Sequence, residues 1–209
     1  MGTVYHRRMT LSLTVGRPTL ADHVLPRGLV TDVSLVLGGA ALTGLLAQVA
    51  IPLWPVPITG QTLAVLLVGS TLGVSRGVLA MLTYALLGVA GVPWFSDASH
   101  GVGVLLSSTG GYIAGFILAV AVTGWLAQRE WDRRFLQAAV TFLAGSGSVF
   151  LVGLPWLAVV TGADLAQTLA WGLWPFIPGG IVKALIAAAI IPAAWHGVRK
   201  LDAAARDNR

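Results

Sequence analysis

Cysteine is absent from this chain of 209 residues, and charged residues make up only 10% of it. The first absence excludes disulfides and thiolate-bound metals as organising elements. The second, beside a hydrophobic content of 56% and a mean hydropathy of +0.82, excludes an ordinary soluble domain. Basic residues are missing from long stretches, and no phosphate-binding loop with its lysine occurs anywhere, so the chain carries no nucleotide motif. Residues 1 to 28 lack a sustained apolar run and hold Arg17, Pro18, Asp22, Pro26 and Arg27, so they do not read as a cleaved signal peptide.

What is present is a set of uncharged tracts, the pattern left by a bilayer core that excludes charge. No Asp, Glu, Lys or Arg lies between Asp32 and Arg76, Arg76 and Asp97, Asp97 and Arg129, or Arg134 and Asp164. Shorter tracts run from Asp164 to Lys183 and from Lys183 to Arg199. The first tract must be divided, because Pro52, Pro55 and Pro57 break consecutive helical hydrogen bonds. At about 20 residues per helical crossing, six spans are predicted: 33–52, 60–74, 76–92, 108–128, 135–159 and 178–197. The chain therefore reads as an all-α integral membrane protein. A leader at 1–28 precedes a six-span domain at 29–198, and a basic tail at 199–209 follows.

Lys and Arg accumulate on the cytoplasmic side of a membrane. Six crossings place every basic residue except Lys183 on one face: Arg7, Arg8, Arg17 and Arg27, then Arg76, then Arg129, Arg133 and Arg134, then Arg199, Lys200, Arg206 and Arg209. Both termini are expected in the cytoplasm of a bacterium, with the protein multi-pass in its plasma membrane. The net charge of +5 then reflects topology and not nucleic-acid binding.

The outer loops fall at 52–60, 93–107 and 160–177, none with a basic residue. The first is a proline-stiffened strip from Pro52 to Thr62, able to serve as a pocket wall at low entropic cost or as a simple connector. The second runs from Gly91 through Pro93, Trp94, Phe95 and Asp97. It leads to Ser108 or Thr109 as helix N-cap and to Gly110 and Gly111, whose lack of a side chain allows close approach. A third segment joins Pro175, Phe176, Pro178, Gly179 and Gly180 to Lys183. An intramembrane lysine is a functional candidate by default, with snorkelling to the surface as the alternative.

Four of these segments resemble the BioY family, the biotin-binding S components of energy-coupling factor transporters. They are the Pro-x-x-Pro-Val-Pro-Ile-Thr-x-Gln-Thr run at Pro52 to Thr62, Gly91-Val92-Pro93 with Phe95, Thr109-Gly110-Gly111-Tyr112, and Pro175 to Gly179 with Lys183. The resemblance covers about 37–197. It implies a six-helix subunit that captures biotin from outside, needs no cofactor or metal, and docks on a transmembrane coupling protein driven by two cytoplasmic ATPases. The implied biotin contacts are Thr59, Gln61, Phe95, Asp97, Gly110, Gly111, Tyr112, Gly180 and Lys183. Either the ureido carbonyl or the valerate carboxylate of biotin would meet Lys183.

Of the Trp residues at the outer side (Trp54, Trp94, Trp156, Trp171 and Trp174), Trp94 is expected in the pocket and the others in an interfacial belt. The family typically has an acid where Gly180 stands and an Asn where Asp97 stands. Asp97 is therefore expected to replace the missing acid, accepting from the ureido nitrogens or pairing with Lys183. Ala40, Gly44 and Ala47 form a small-residue face on span 1, expected to dock the coupling protein or else to pack internally.

Catalysis is not expected: Ser146 is near mid-membrane and His196 at the cytoplasmic end of span 6, more than roughly 10 Å away at the helical rise. His100 has no companion ligands for a metal. The competing reading is an S component for another small vitamin, or a biotin transporter working without a motor.

Overall fold

In lipid every backbone amide must find its partner within the protein, so apolar tracts of this length become helices. The computed structural model describes residue 13 and residues 16–207; Arg7, Arg8 and Arg209, used in the orientation argument, lie outside the described residues. Its helices are α1 (Leu20–Val24), α2 (Leu29–Ala47), α3 (Gln61–Val89), α4 (Val102–Leu106), α5 (Gly110–Ala127), α6 (Phe135–Thr161), α7 (Leu165–Gly172) and α8 (Phe176–Asp207). Five stretches are long and apolar enough to cross a membrane: α2, α3, α5, α6 and Phe176–Leu201 of α8.

The α3 segment is not one rod. At Gly73 the backbone takes φ 78°, ψ −175°, open to glycine and closed to residues with a Cβ. A straight helix would separate Gln61 and Tyr84 by about 34 Å, yet the Gln61 amide donates to the Tyr84 hydroxyl. A methyl built on Gly77 would stand 3.6 Å from Gly69 Cα. The chain thus doubles back at Gly73 into two antiparallel arms, where a break just before Arg76 is predicted.

The proline strip ends α2 at Ala47, short of the predicted residue 52. Ala50–Ile51 (β1) instead pairs antiparallel with Ile58–Thr59 (β2), giving the backbone around the prolines partners that a helix cannot offer. Pro178 sits in the first turn of α8, where a missing N–H costs nothing, so the helix begins at Phe176, ahead of the predicted 178. It also continues through the predicted basic tail to Asp207.

Close packing rests on small residues. Gly115 approaches the Val149 carbonyl across α5 and α6, and Gly124 lies against Gly73 and Val74 at the tip of the α3 hairpin. Under that tip Arg76 is 1% exposed. It donates through Nε to Asp32 at 2.8 Å and through Nη1 to Asp22 at 3.0 Å, while Leu13 N–H donates to the other Asp32 oxygen at 2.6 Å. The leader is thus tied to the helix ends by buried ion pairs, and Arg76 is not a solvated loop residue.

Candidate functional site

A cavity of about 380 Å³ opens where the β1–β2 hairpin, the 94–107 loop, α5, α6 and α8 converge. That volume falls within the roughly 300–1,000 Å³ of small-molecule sites. Its walls are mostly apolar, and Tyr112, Phe150 and Phe176 form an aromatic corner. Tyr112 stacks on Phe176 at 5.8 Å and 19°, and Phe150 meets both edge-on at 6.3 Å. The Tyr112 hydroxyl donates to the Gly172 carbonyl at 2.9 Å, fixing the ring against the segment before α8.

The polar side is organised by Lys183, half-buried in the second turn of α8. Its ammonium donates to the Thr59 carbonyl at 2.5 Å and to Thr62 Oγ1 at 2.9 Å. An ammonium has three N–H donors, so one remains for the cavity it lines. The network runs on: Thr59 Oγ1 donates to Gln61 Oε1 at 2.7 Å, and Gln61 Nε2 donates to Tyr84, which is wholly buried. Both partners of Lys183 are neutral, and none of the ion pairs among the described residues joins it to a carboxylate. Of the two roles expected of Asp97, the pair with Lys183 is therefore not formed; the ammonium is anchored on Thr59 and Thr62 instead.

Asp97 does line the cavity, on an exposed turn at Ser96–Ala98. Asp97 and Ala98 take left-handed φ of 57° and 52°. Asp tolerates this conformation better than Ala does. Gln48 holds the turn in place: its Nε2 donates to the carbonyls of Trp94 and Phe95 at 3.2 and 3.0 Å, and its Oε1 accepts from Ala98 N–H at 3.0 Å.

Of the sequence-predicted contacts, the fold brings Thr59, Gln61, Phe95, Asp97, Tyr112, Gly180 and Lys183 to one cavity. Three expectations need correction. Trp94 does not line it; its Nε1 donates to the Tyr84 carbonyl at 2.9 Å, and its ring lies over Gly44. Gly110 and Gly111 are likewise outside the lining, and their missing side chains make room for the Leu105 carbonyl and for Trp156. The small face of α2 is turned inward: Ala40 and Ala47 are fully buried, and a methyl on Gly44 would stand 2.9 Å from Trp94 Cβ. This face packs within the chain and offers nothing to a partner.

Sequence reasoning missed Thr62 as a lysine partner, Gln48 as the turn clamp, and the wall residues Phe116, Phe150 and Phe176. It also set aside Ser146, which lines the cavity. Ser146 Oγ and Ser96 Oγ, both at this cavity, are buried without hydrogen-bond partners among the described residues. Unpaired buried hydroxyls cost about 1–3 kcal/mol each.

Similar proteins are known. Over 159 residues the chain is 39% identical to a "Probable biotin transporter BioY" of Pyrococcus horikoshii, covering 76% of this chain and 93% of the relative. Over 169 residues it is 34% identical to the "Biotin transporter BioY" of Rhizobium etli, covering 78% and 90%. A crystal structure of the S-component for biotin from an ECF-type ABC transporter shares the fold, with a TM-score of 0.69 at 24% identity over 78% of this chain and 90% of that one. The BioY family profile matches residues 13–200, taking in the ion-paired leader as well as the helices, and the chain belongs to the BioY family.

Proposed function

We propose that this protein captures biotin in the cavity beneath the β1–β2 hairpin and hands it to an energy-coupling factor transporter. The observation that carries this reading is the Lys183 ammonium, anchored by Thr59 and Thr62 with one donor left toward a mostly apolar cavity in a BioY-family chain. A fused apolar ring system bearing two oxygen-rich ends matches such a site: the rings lie against Tyr112, Phe150 and Phe176, and one oxygen accepts from Lys183. The Asp97 carboxylate offers a further polar contact. The test is calorimetry on the purified protein without ATPase subunits, titrated with biotin, thiamine and riboflavin in turn. Binding of biotin alone is expected; binding of another vitamin in its place overturns the assignment of ligand.

The two arms of α3 together with α2, α5, α6 and α8 supply six crossings, with both termini on the side of Arg129, Arg134 and Arg199 in the plasma membrane. A single cysteine at Ser99 should react with an impermeant maleimide in intact cells, and one at Ser75 should not; the reverse pattern overturns the orientation. The partners are a transmembrane coupling protein and two ATPase subunits. With Ala40, Gly44 and Ala47 buried, docking through α2 falls to its exposed side, at Ser34, Gly38 and Ala41.

A further inference from the structure

A second cavity, of about 600 Å³, lies at the other end of the bundle. Arg199 is 16 residues past Lys183 on α8, roughly 24 Å along the helix axis. Its walls include Arg129, Arg133, Arg134 and Arg199, with Glu130 and Gln137. Among the described residues, four guanidiniums and one carboxylate line it. Glu130 is spent on Arg133 at 3.3 Å, and Asp132 turns inward, accepting from Ser70 at 2.8 Å and Trp195 at 3.1 Å. Two of the arginines are held by aromatic faces: Arg129 lies 3.7 Å from the Trp125 ring centroid and Arg133 lies 4.5 Å from that of Trp195. Arg133 Nε is buried with no acceptor among the described residues. Arg134 is the N-cap of α6 and makes no side-chain cap, so the first amides of a 27-residue helix open beside the same cavity. Such a concentration of fixed donors calls for an anion with several oxygens.

The surroundings select the kind of anion. Trp125, Trp131, Phe135 and Leu136, flanking the cavity, are 48%, 42%, 54% and 75% exposed. Tryptophans at this position mark the headgroup level, and exposed Phe and Leu at a helix start meet acyl chains. We propose that this cavity binds the headgroup phosphate of an anionic phospholipid, gripped by Arg129, Arg134 and Arg199 with the acyl chains along Phe135 and Leu136. Phosphate chemistry could also come from a soluble ion, but a soluble phosphate would gain nothing from the apolar rim.

The full chain in nanodiscs of phosphatidylcholine, with or without phosphatidylglycerol, provides the test, with retained lipid read by native mass spectrometry and stability by thermal melting. The unmodified protein should retain phosphatidylglycerol and melt higher in its presence. Arg129→Gln/Arg134→Gln/Arg199→Gln, all at exposed positions, should bind it roughly a hundredfold more weakly. Its melting temperature in phosphatidylcholine alone should be unchanged, and that measurement reports whether it folds. If the triple variant does not fold, Arg129→Gln alone should weaken retention roughly fivefold. The proposal is overturned if the variants retain phosphatidylglycerol as the unmodified protein does. It is also overturned if inorganic phosphate stabilises the protein and the lipid does not, or if the triple variant keeps the lipid and loses only a partner subunit.

Discussion

Replacing Lys183 by methionine keeps an unbranched side chain of similar length and removes only the ammonium. Two effects follow from the geometry. The ligand loses a charge-assisted hydrogen bond, worth about 1.5–3 kcal/mol, so biotin affinity should fall roughly 10- to 150-fold. Separately, the Thr59 carbonyl and Thr62 Oγ1 lose the donor that spans them at 2.5 and 2.9 Å. An orphaned acceptor at a half-buried site costs about 1 kcal/mol of folding stability, a shift of a few degrees in melting temperature. Lys183→Arg should not restore the affinity, because a planar fork cannot place one N–H where a compact ammonium donates to two threonines and a ligand at once. Calorimetry reads the first effect and differential scanning fluorimetry the second. A Lys183→Met protein that binds biotin within about threefold of the unmodified one would return Lys183 to a structural tether of the β-hairpin and remove the basis of the assignment.

Asp97→Asn keeps a residue tolerant of φ 57° and removes only the charge, so biotin binding measured by calorimetry should weaken by about 1.5–3 kcal/mol if the carboxylate contacts the ligand. A side chain at Gly180 meets nothing within 4 Å, and position 180 shares a helix face with Lys183, so adding Gly180→Asp should recover most of that loss; no recovery refutes the exchange of acids. Ala40→Leu with Gly44→Leu should destabilise the protein by about 1–3 kcal/mol per site, read as a lower melting temperature and poor recovery, because both positions face the interior. In the loop between α5 and α6, burial pushes the Asp132 carboxyl above its usual range, against the opposing pull of Trp195, Ser70 and Arg133. An acid with a raised folded pKa binds its proton more tightly when folded. Stability is therefore lost as pH rises from the ordinary carboxylate range through the folded value. Asp132→Asn should flatten melting temperature against pH across that window, and an unchanged slope would refute it.

Much of the architecture was legible because a bilayer writes its constraint directly into composition. Uncharged tracts, proline breaks and the one-sided arginines are local features, and they located the long helices to within several residues, except that α8 runs on to Asp207, well past the predicted 197. The site was legible as separate pieces: Thr59 and Gln61 from the proline strip, Phe95 and Asp97 from the second loop, and Lys183 as the one cation away from the basic face. Their meeting in one cavity is a property of the fold. Facing was not legible, since a membrane helix that is apolar all round shows no periodicity to tell lipid from core. Hence the sequence leaves Ala40, Gly44 and Ala47 open between docking a partner and packing internally, which burial decides for packing, and Phe116, Ser146 and Phe150 give no sign in the sequence that they line the cavity.

By itself the sequence determined the class of protein and the residues able to carry charge into the membrane, because transfer into lipid depends on each residue's own chemistry. Only the tertiary structure decided that Lys183 bonds to two threonines and not to Asp97, that Trp94 braces Tyr84 outside the cavity, and that Gly73 folds α3 back on itself. Those outcomes depend on which side chain reaches an acceptor first and on which backbone can reverse without a Cβ. Both are set by the packing of segments distant in the chain.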